Sequence, residues 1–278
     1  MMLQCGKGRL DLSRPHIMGI LNVTPDSFSD GGRFIEPSRA LDHARQMMAE
    51  GADIIDIGGE STRPGAEAVS EEDELARVLP ILEILKSETD VPVSVDTSKP
   101  GVMRRVIAAG ADIINDVRGF QDPQAVEAVA DSQVGLCIMH MLGEPRTMQS
   151  DPRYREVVRE IRGFLMDQAA VLMDAGVDRH RIMIDPGFGF GKTLEHNLTL
   201  LRELGAFSAS AFPVLVGMSR KSMIGKVIDR PVEERVHGSV AVASLAAWLG
   251  ASVVRVHDVA ATRDALAMIQ AVKATAPA

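Results

Sequence analysis

The chain is short of cysteine, of positive charge and of long apolar runs, and each shortage removes a class of function. Its two cysteines, Cys5 and Cys137, are too few for a disulfide framework or a cysteine-based zinc site. Cys137 lies inside the apolar run Val134–Met139 and reads as a small buried hydrophobe. Thirty Lys and Arg stand against 38 Asp and Glu, a formal net charge of −8. That balance argues against nucleic acid or an anionic membrane surface as the main partner, though a few local cations would suffice for a small anion. The longest uncharged stretch, Gly238–Val254, is broken by serine and glycine and falls short of the roughly 20 strongly apolar residues of a membrane span. Met1–Leu10 carries Lys7 and Arg9 with no apolar leader core. A soluble, cytoplasmic protein is expected. The seven histidines show no zinc-ligand spacing, so a metal, if used, fits Mg²⁺ held by one protein oxygen and substrate phosphates.

Short β-branched runs alternate with longer amphipathic stretches from end to end. Eight strands are expected, at His16–Val23, Asp53–Gly58, Pro92–Asp96, Asp112–Asp116, Val134–Met139, Arg181–Asp185, Val214–Gly217 and Val253–Val256. Between and after them lie helical patterns at Ser38–Glu50, Glu71–Ser87, Pro100–Ala109, Pro123–Asp131, Tyr154–Ala175, Leu194–Leu204, Val232–Leu249 and Ala260–Ala274. Several end at a glycine suited to a C-cap, such as Gly51, Gly110, Gly176 and Gly250. Apolar strands alternating with helices mean a parallel sheet covered on its faces. Eight such units in one unbroken chain point to an α/β fold, a closed (β/α)8 TIM barrel, over an open doubly wound sheet. One domain, residues 1–278, is expected, with its core over about 15–275.

Nearly every strand ends in a polar residue: Asn22, Asp56 and Glu60, Asp96, Asn115 and Asp116, His140, Asp185, Ser219 with Lys221, and Arg255 with His257. In a barrel the C-terminal strand ends build the active site. A single Asp, Asn or Ser there can simply cap the next helix, but capping has no use for Lys221, Arg255 or His257. Two long loops, Thr24–Gly32 with Phe28 and Gly58–Gly65 with Thr62, Arg63 and Pro64, read as lids over such a site. Gly187-Phe-Gly-Phe-Gly-Lys-Thr193 imitates a phosphate-binding loop, but Pro186 stands where its first glycine belongs and has no N–H to donate.

Arg255 and His257 are two apart on a strand and share a face, either neutralising local acids or aiming donors at a phosphate or diphosphate. Asp96, Asn115 and Asp185 converge from three strands and suit a flat ligand with a row of N–H donors, such as an amino-oxo-pyrimidine ring. Met139 and Phe190 could supply its apolar floor, and core packing explains Met139 equally well.

Taken together, Leu21-Asn-Val-Thr-Pro-Asp-Ser-Phe-Ser-Asp-Gly-Gly32, Gly58-Gly-Glu-Ser-Thr-Arg-Pro-Gly-Ala66, Val95-Asp-Thr, Ile114-Asn-Asp-Val117, Met139-His-Met, Asp185-Pro-Gly-Phe-Gly-Phe-Gly-Lys192, Gly217-Met-Ser-Arg-Lys221 and Arg255-Val-His-Asp258 closely resemble the dihydropteroate synthase family of folate biosynthesis. The resemblance runs from about residue 15 to 260, and the two loop motifs are its most specific part. It implies a transferase that joins 6-hydroxymethyl-7,8-dihydropterin diphosphate to 4-aminobenzoate, with Mg²⁺, in a homodimer, and that is open to sulfonamides. By the same resemblance Asp96, Asn115, Asp185, Lys221 and Met139 would hold the pterin. Asn22, Thr62, Arg63, Arg255 and His257 would serve the diphosphate, with Asn22 also on the metal. Phe28, Thr62, Pro64, Phe190, Ser219, Lys221 and Ser222 would surround aminobenzoate. Asp96, Lys221, Arg63, Arg255 and His257 would carry the catalysis. Rival readings are a corrinoid-linked pterin methyltransferase and a non-catalytic paralogue; both loop motifs and the Arg255/His257 pair weigh against them.

Overall fold

The computed structural model describes residues 1–24, 37–61, 66–144 and 147–275. The chain opens with an antiparallel hairpin, β1 (Met2–Cys5) and β2 (Gly8–Asp11), turned at Gly6 with φ +57°. The sequence reading expects no strand before His16, because four-residue strands this close together show no periodicity. Leu3 and Cys5 are nonetheless fully buried.

The eight expected strands all form: β3 (His16–Asn22), β4 (Ile54–Gly58), β5 (Val93–Asp96), β6 (Ile113–Asp116), β7 (Gly135–Met139), β8 (Ile182–Asp185), β9 (Leu215–Val216) and β10 (Val253–Val256). They lie in one parallel sheet of order β8-β7-β6-β5-β4-β3-β10-β9. A parallel bridge between Ile184 and Val214, with the Ile184 N–H on the Pro213 carbonyl at 2.9 Å, brings the two ends together. The sheet is a (β/α)8 barrel. Around it run α1 (Pro37–Glu50), α2 (Glu71–Glu88), α3 (Pro100–Ala108), α4 (Pro123–Ala130), α5 (Val157–Asp174), α6 (Leu194–Arg202), α7 (Gly205–Ser208), α8 (Ser222–Ile228), α9 (Val236–Trp248) and α10 (Val259–Ala274). The stretch expected as one helix over Val232–Leu249 is a single tight turn, Val232–Glu234, followed by α9. The short α7 and α8 stand between expected elements.

Two apolar shells follow from the strand period of two. Outward residues such as Ile17, Leu21, Ile55, Val95, Ile114 and Val254 pack under the helices. Inward residues Met18, Ile54, Ile113, Cys137, Met183, Leu215 and Val253 form a second cluster with Leu3, Cys5 and Leu12 of the hairpin segment. The hairpin therefore stoppers the N-terminal end of the barrel and leaves its C-terminal end as the mouth. No helix among the described residues is long and apolar enough to cross a membrane.

Candidate active site

Two residues beyond each inward apolar position the side chain again faces the interior, now nearer the mouth. From Ile54 this leads to Asp56, from Ile113 to Asn115, from Cys137 to Met139, from Met183 to Asp185 and from Val253 to Arg255. Sequence spacing alone places these groups, all but Met139 polar, on one surface above a dry plug.

At its centre Arg255 crosses the barrel. Its Nε donates to Asp56 Oδ2 at 2.6 Å and its Nη2 to Asp96 Oδ2 at 3.2 Å, although β3 stands between β10 and β4 in the sheet. Asp56 is fully buried, and its Oδ1 has no hydrogen-bond partner among the described residues. Burial raises Asp96 to about 7; Arg255 opposes this, while Asp56, Glu74 and Asp116 add to it. The expectation left open whether Arg255 neutralises acids or meets a phosphate; here its guanidinium lies on two carboxylates. Asp56 was noted in the sequence only as a strand-end residue. Its inward parity with Gly58, two residues on, was the signal that could have assigned it to the site.

Beside this pair lies a more apolar recess. Asn115 is 3% exposed, and its Oδ1 is buried with no partner among the described residues, an acceptor without a donor. Asp185 accepts the Gly187 N–H at 2.7 Å; burial pushes its carboxyl up, and the nearby Lys221 charge holds it back. Lys221 is itself brought down to about 8 by burial, against the pull of Asp185. Its Nζ stands 4.5 Å from the centre of the Phe190 ring, a cation–π contact. Phe190 packs on the small cluster of Val117, Met139, Met141 and Met148. Met139 and Phe190 thus share one apolar surface at the mouth.

The loop that carries Phe190 is tightly constrained. Gly187, Gly189 and Gly191 all have positive φ, and a Cβ on Gly187 would stand 1.9 Å from the His140 carbonyl oxygen. That contact admits only glycine. Lys192, 3% exposed, holds the loop from beneath: its Nζ donates to the Phe190 carbonyl at 2.9 Å and meets His140 Nδ1 at 3.0 Å. Burial and Lys192 together lower His140 to about 3. His140 accordingly packs edge-on to Phe164 and supports the loop. Asp116 faces outward and ties the turn after β6, accepting from the Arg118 and Phe120 amides at 2.8 and 2.7 Å. Glu60 pairs with Lys99 at the root of the second loop. None of these strand-end residues caps the next helix, since Ser70 caps α2 and Asp122 caps α4; each ties a loop or turn instead. Lys192 passed in the sequence as part of a failed phosphate-loop motif, and only its burial reveals its role.

On the other rim, Ser219 Oγ accepts the His257 N–H at 3.2 Å and lies 3.0 Å from His257 Nδ1. Ser222 is the first residue of α8, with Lys221 at the cap. Asn22 ends β3, half-buried and in register with Gly58. Phe28, Thr62, Arg63 and Pro64, and with them most of the first expected lid and half of the second, lie outside the described residues. The arrangement offers acceptors for a row of N–H groups, an apolar surface for a flat ring, and the cations of Arg255 and Lys221.

The sequence pattern of the family described as pterin binding enzyme matches residues 18–257. The dihydropteroate synthase of Haemophilus influenzae is 50% identical over 271 residues, 98% of either chain. A Burkholderia cenocepacia dihydropteroate synthase complexed with 7,8-dihydropteroate superposes with a TM-score of 0.90 at 52% identity, covering 98% of this chain and 96% of that one. A Xanthomonas albilineans dihydropteroate synthase with 4-aminobenzoic acid gives 0.93 at 50% identity, covering 99% of each chain.

Proposed function

Because the chain belongs to the pterin-binding enzymes of the dihydropteroate synthase family, we propose that it condenses 6-hydroxymethyl-7,8-dihydropterin diphosphate with 4-aminobenzoate, giving 7,8-dihydropteroate and diphosphate. The observation that carries this reading is the buried, unpartnered Asn115 Oδ1 between Asp96 and Asp185, beside the Met139–Phe190 surface. A buried acceptor left alone carries a desolvation cost of about 1–3 kcal/mol, so a ligand donor that reaches it is strongly favoured. A pterin ring brings donors in a plane, and the carboxylates of Asp96 and Asp185 can accept them alongside. Lys221, between Asp185 and Phe190, faces the ring's acceptor edge.

The bond that breaks joins the pterin methylene carbon to the diphosphate oxygen. As it opens, positive charge develops on a carbon conjugated with the ring, and the fixed carboxylates nearby stabilise that charge electrostatically. The aryl amine is neutral near pH 7, attacks the carbon and then releases its proton to solvent, so no general base is required. Arg255 at the centre and His257 on the rim would serve the leaving oxygens. Ser219 and Ser222 would orient aminobenzoate, whose ring lies against Phe190. By the same family likeness Thr62 and Arg63 would serve the diphosphate, and Phe28, Thr62 and Pro64 the aminobenzoate.

In the same reading Mg²⁺ would be held at Asn22. Among the described residues no group of three or more His, Cys, Asp or Glu could hold a metal alone. Asn22 supplies a single neutral oxygen, its Oδ1 3.5 Å from where a Cβ on Gly58 would stand. One protein oxygen with substrate phosphates and water is an ordinary Mg²⁺ environment. When bound there, the ion would neutralise charge on the leaving diphosphate. A cytoplasmic homodimer belongs to the same reading. Exposed Leu245 and Trp248 on α9 and Met268 and Val272 on α10 support the dimer, which sedimentation would test.

The deciding experiment incubates the purified protein with the pterin diphosphate, Mg²⁺ and 4-aminobenzoate. Equal amounts of pteroate and diphosphate are expected. Diphosphate release with no pteroate, or neither product, overturns the proposal.

A further inference from the structure

Between Ser219 and Lys221, two residues of the proposed substrate site, stands Arg220 in a backbone conformation that few side chains adopt. Its φ is +57°, the left-handed region, which is strained for a residue with a β-carbon. Such conformations persist only where the surroundings over-determine them. Here three separate ties do so. The Arg220 N–H donates to Ser239 Oγ at 2.9 Å, and Ser239 in turn donates to the Arg235 carbonyl at 2.7 Å. Arg235 Nη1 donates back to the Arg220 carbonyl at 3.0 Å. The Arg220 guanidinium forks onto Asp258, Nε to Oδ2 at 3.0 Å and Nη2 to Oδ1 at 2.5 Å.

The other end of this fork is as telling. Asp258 occupies the cap position of α10, where a carboxylate normally accepts from the first turn of the helix, yet it makes no such bond. Its side chain goes to Arg220 in the neighbouring loop instead. A local preference set aside in this way marks a group with another task. Asp258 follows His257, and Arg220 follows Ser219. The fork therefore joins the loops after β9 and β10 one residue from the Ser219–His257 contact on the rim. A partly exposed ion pair (side chains 36% and 17% exposed) contributes modestly to stability, and the fork's value is geometric: two parallel hydrogen bonds fix both distance and angle.

We infer that Arg220 and Asp258 form a positioning brace that holds Ser219 and His257 in register, where 4-aminobenzoate meets the leaving diphosphate. The inference rests on the proposed reaction. In this reading both brace residues act through Ser219 and His257. Lys221 has anchors of its own, the Phe188 carbonyl and the Phe190 ring, so the pterin end of the site is largely independent of the brace.

The test compares the full-length protein with Arg220→Met, Asp258→Asn, the double variant and Arg220→Lys. Steady-state kinetics are measured with each substrate varied, binding of a pterin lacking the diphosphate by calorimetry, and stability by thermal melts. Displacing reacting groups by about an ångström lowers rates on the order of 100-fold, so kcat/KM for 4-aminobenzoate is expected to fall roughly 10- to 100-fold in either single variant. The double variant should lose no more than the worse single one, because both remove the same interaction. Arg220→Lys, which keeps the charge without the fork, should recover part of the activity. The dissociation constant of a pterin lacking the diphosphate, which meets Lys221 and Asp185 but not His257, should stay within about twofold. Unchanged aminobenzoate kinetics in both single variants, or a parallel fall of every parameter with the melting temperature, would overturn the brace. Pteroate formation by the unmodified protein tests the reaction itself; the ratios between variants and parent test the brace.

Discussion

Removing the cation at the centre of the barrel should produce a loss of stability that depends on pH. Arg255 touches the fully buried Asp56 and the largely buried Asp96, so Arg255→Met keeps much of the side-chain volume and leaves two carboxylates without their guanidinium. Breaking a buried ion pair from one side typically costs about 3–5 kcal/mol. At about 2–4 °C per kcal/mol for domains slightly smaller than this one, the melting temperature should fall by roughly 6–20 °C at pH 8. The pH dependence comes from Asp96. In the parent its carboxyl rises from 3.8 to about 7, so the folded protein holds that proton more tightly than the unfolded chain. Asp96 therefore favours folding at low pH, and this contribution falls away as pH rises from about 4 to about 7. Arg255 is the strongest influence opposing the rise. Without it the carboxyl titrates still higher, and the variant goes on losing stability above pH 7, where the parent has levelled off. Thermal melts of both proteins from pH 5.5 to pH 8.5 would show the gap widening with pH. A gap of the same size at both ends, or no loss at pH 8, would refute the electrostatic account of this cluster.

Three further outcomes follow from the site. Asn115→Ala and Asp185→Asn should each weaken pterin diphosphate binding by roughly 10- to 150-fold, the equivalent of about 1.5–3 kcal/mol, with folding retained; unchanged affinity by calorimetry in a folded variant would remove these residues from the pterin site. Lys221 loses its proton as pH rises through about 8, so pterin diphosphate affinity should decline between pH 7.5 and 9.5, and Lys221→Met should flatten that decline. Gly187→Ala forces a Cβ toward the His140 carbonyl at a positive φ, and strain of about 1–3 kcal/mol should appear as a lower melting temperature together with weaker pterin binding; a variant as stable as the parent would show that the loop can yield.

The sequence by itself determined the fold class and most of the ring. Strand and helix alternate with few exceptions, because buried parallel strands must be apolar on both faces and helices between them amphipathic. Period two then carries inward residues on several strands to a polar one nearer the mouth, which is why Asp96, Asn115, Asp185 and Arg255 were legible from spacing. The tertiary structure decided what spacing cannot encode. Asn115 and Asp116 are adjacent and equally polar, yet one faces the mouth and the other ties a turn; a single-residue change of register would exchange them. That Arg255 meets Asp56 depends on barrel closure, which brings together side chains 199 positions apart. The hairpin that stoppers the barrel floor has too few residues to show a period, and its apolar side chains acquire meaning only once the floor exists to receive them. Lys192 and the Arg220–Asp258 fork belong to the same class. Burial and the distance between neighbouring loops give these residues their roles, and both are properties of the closed barrel that no local run of residues contains.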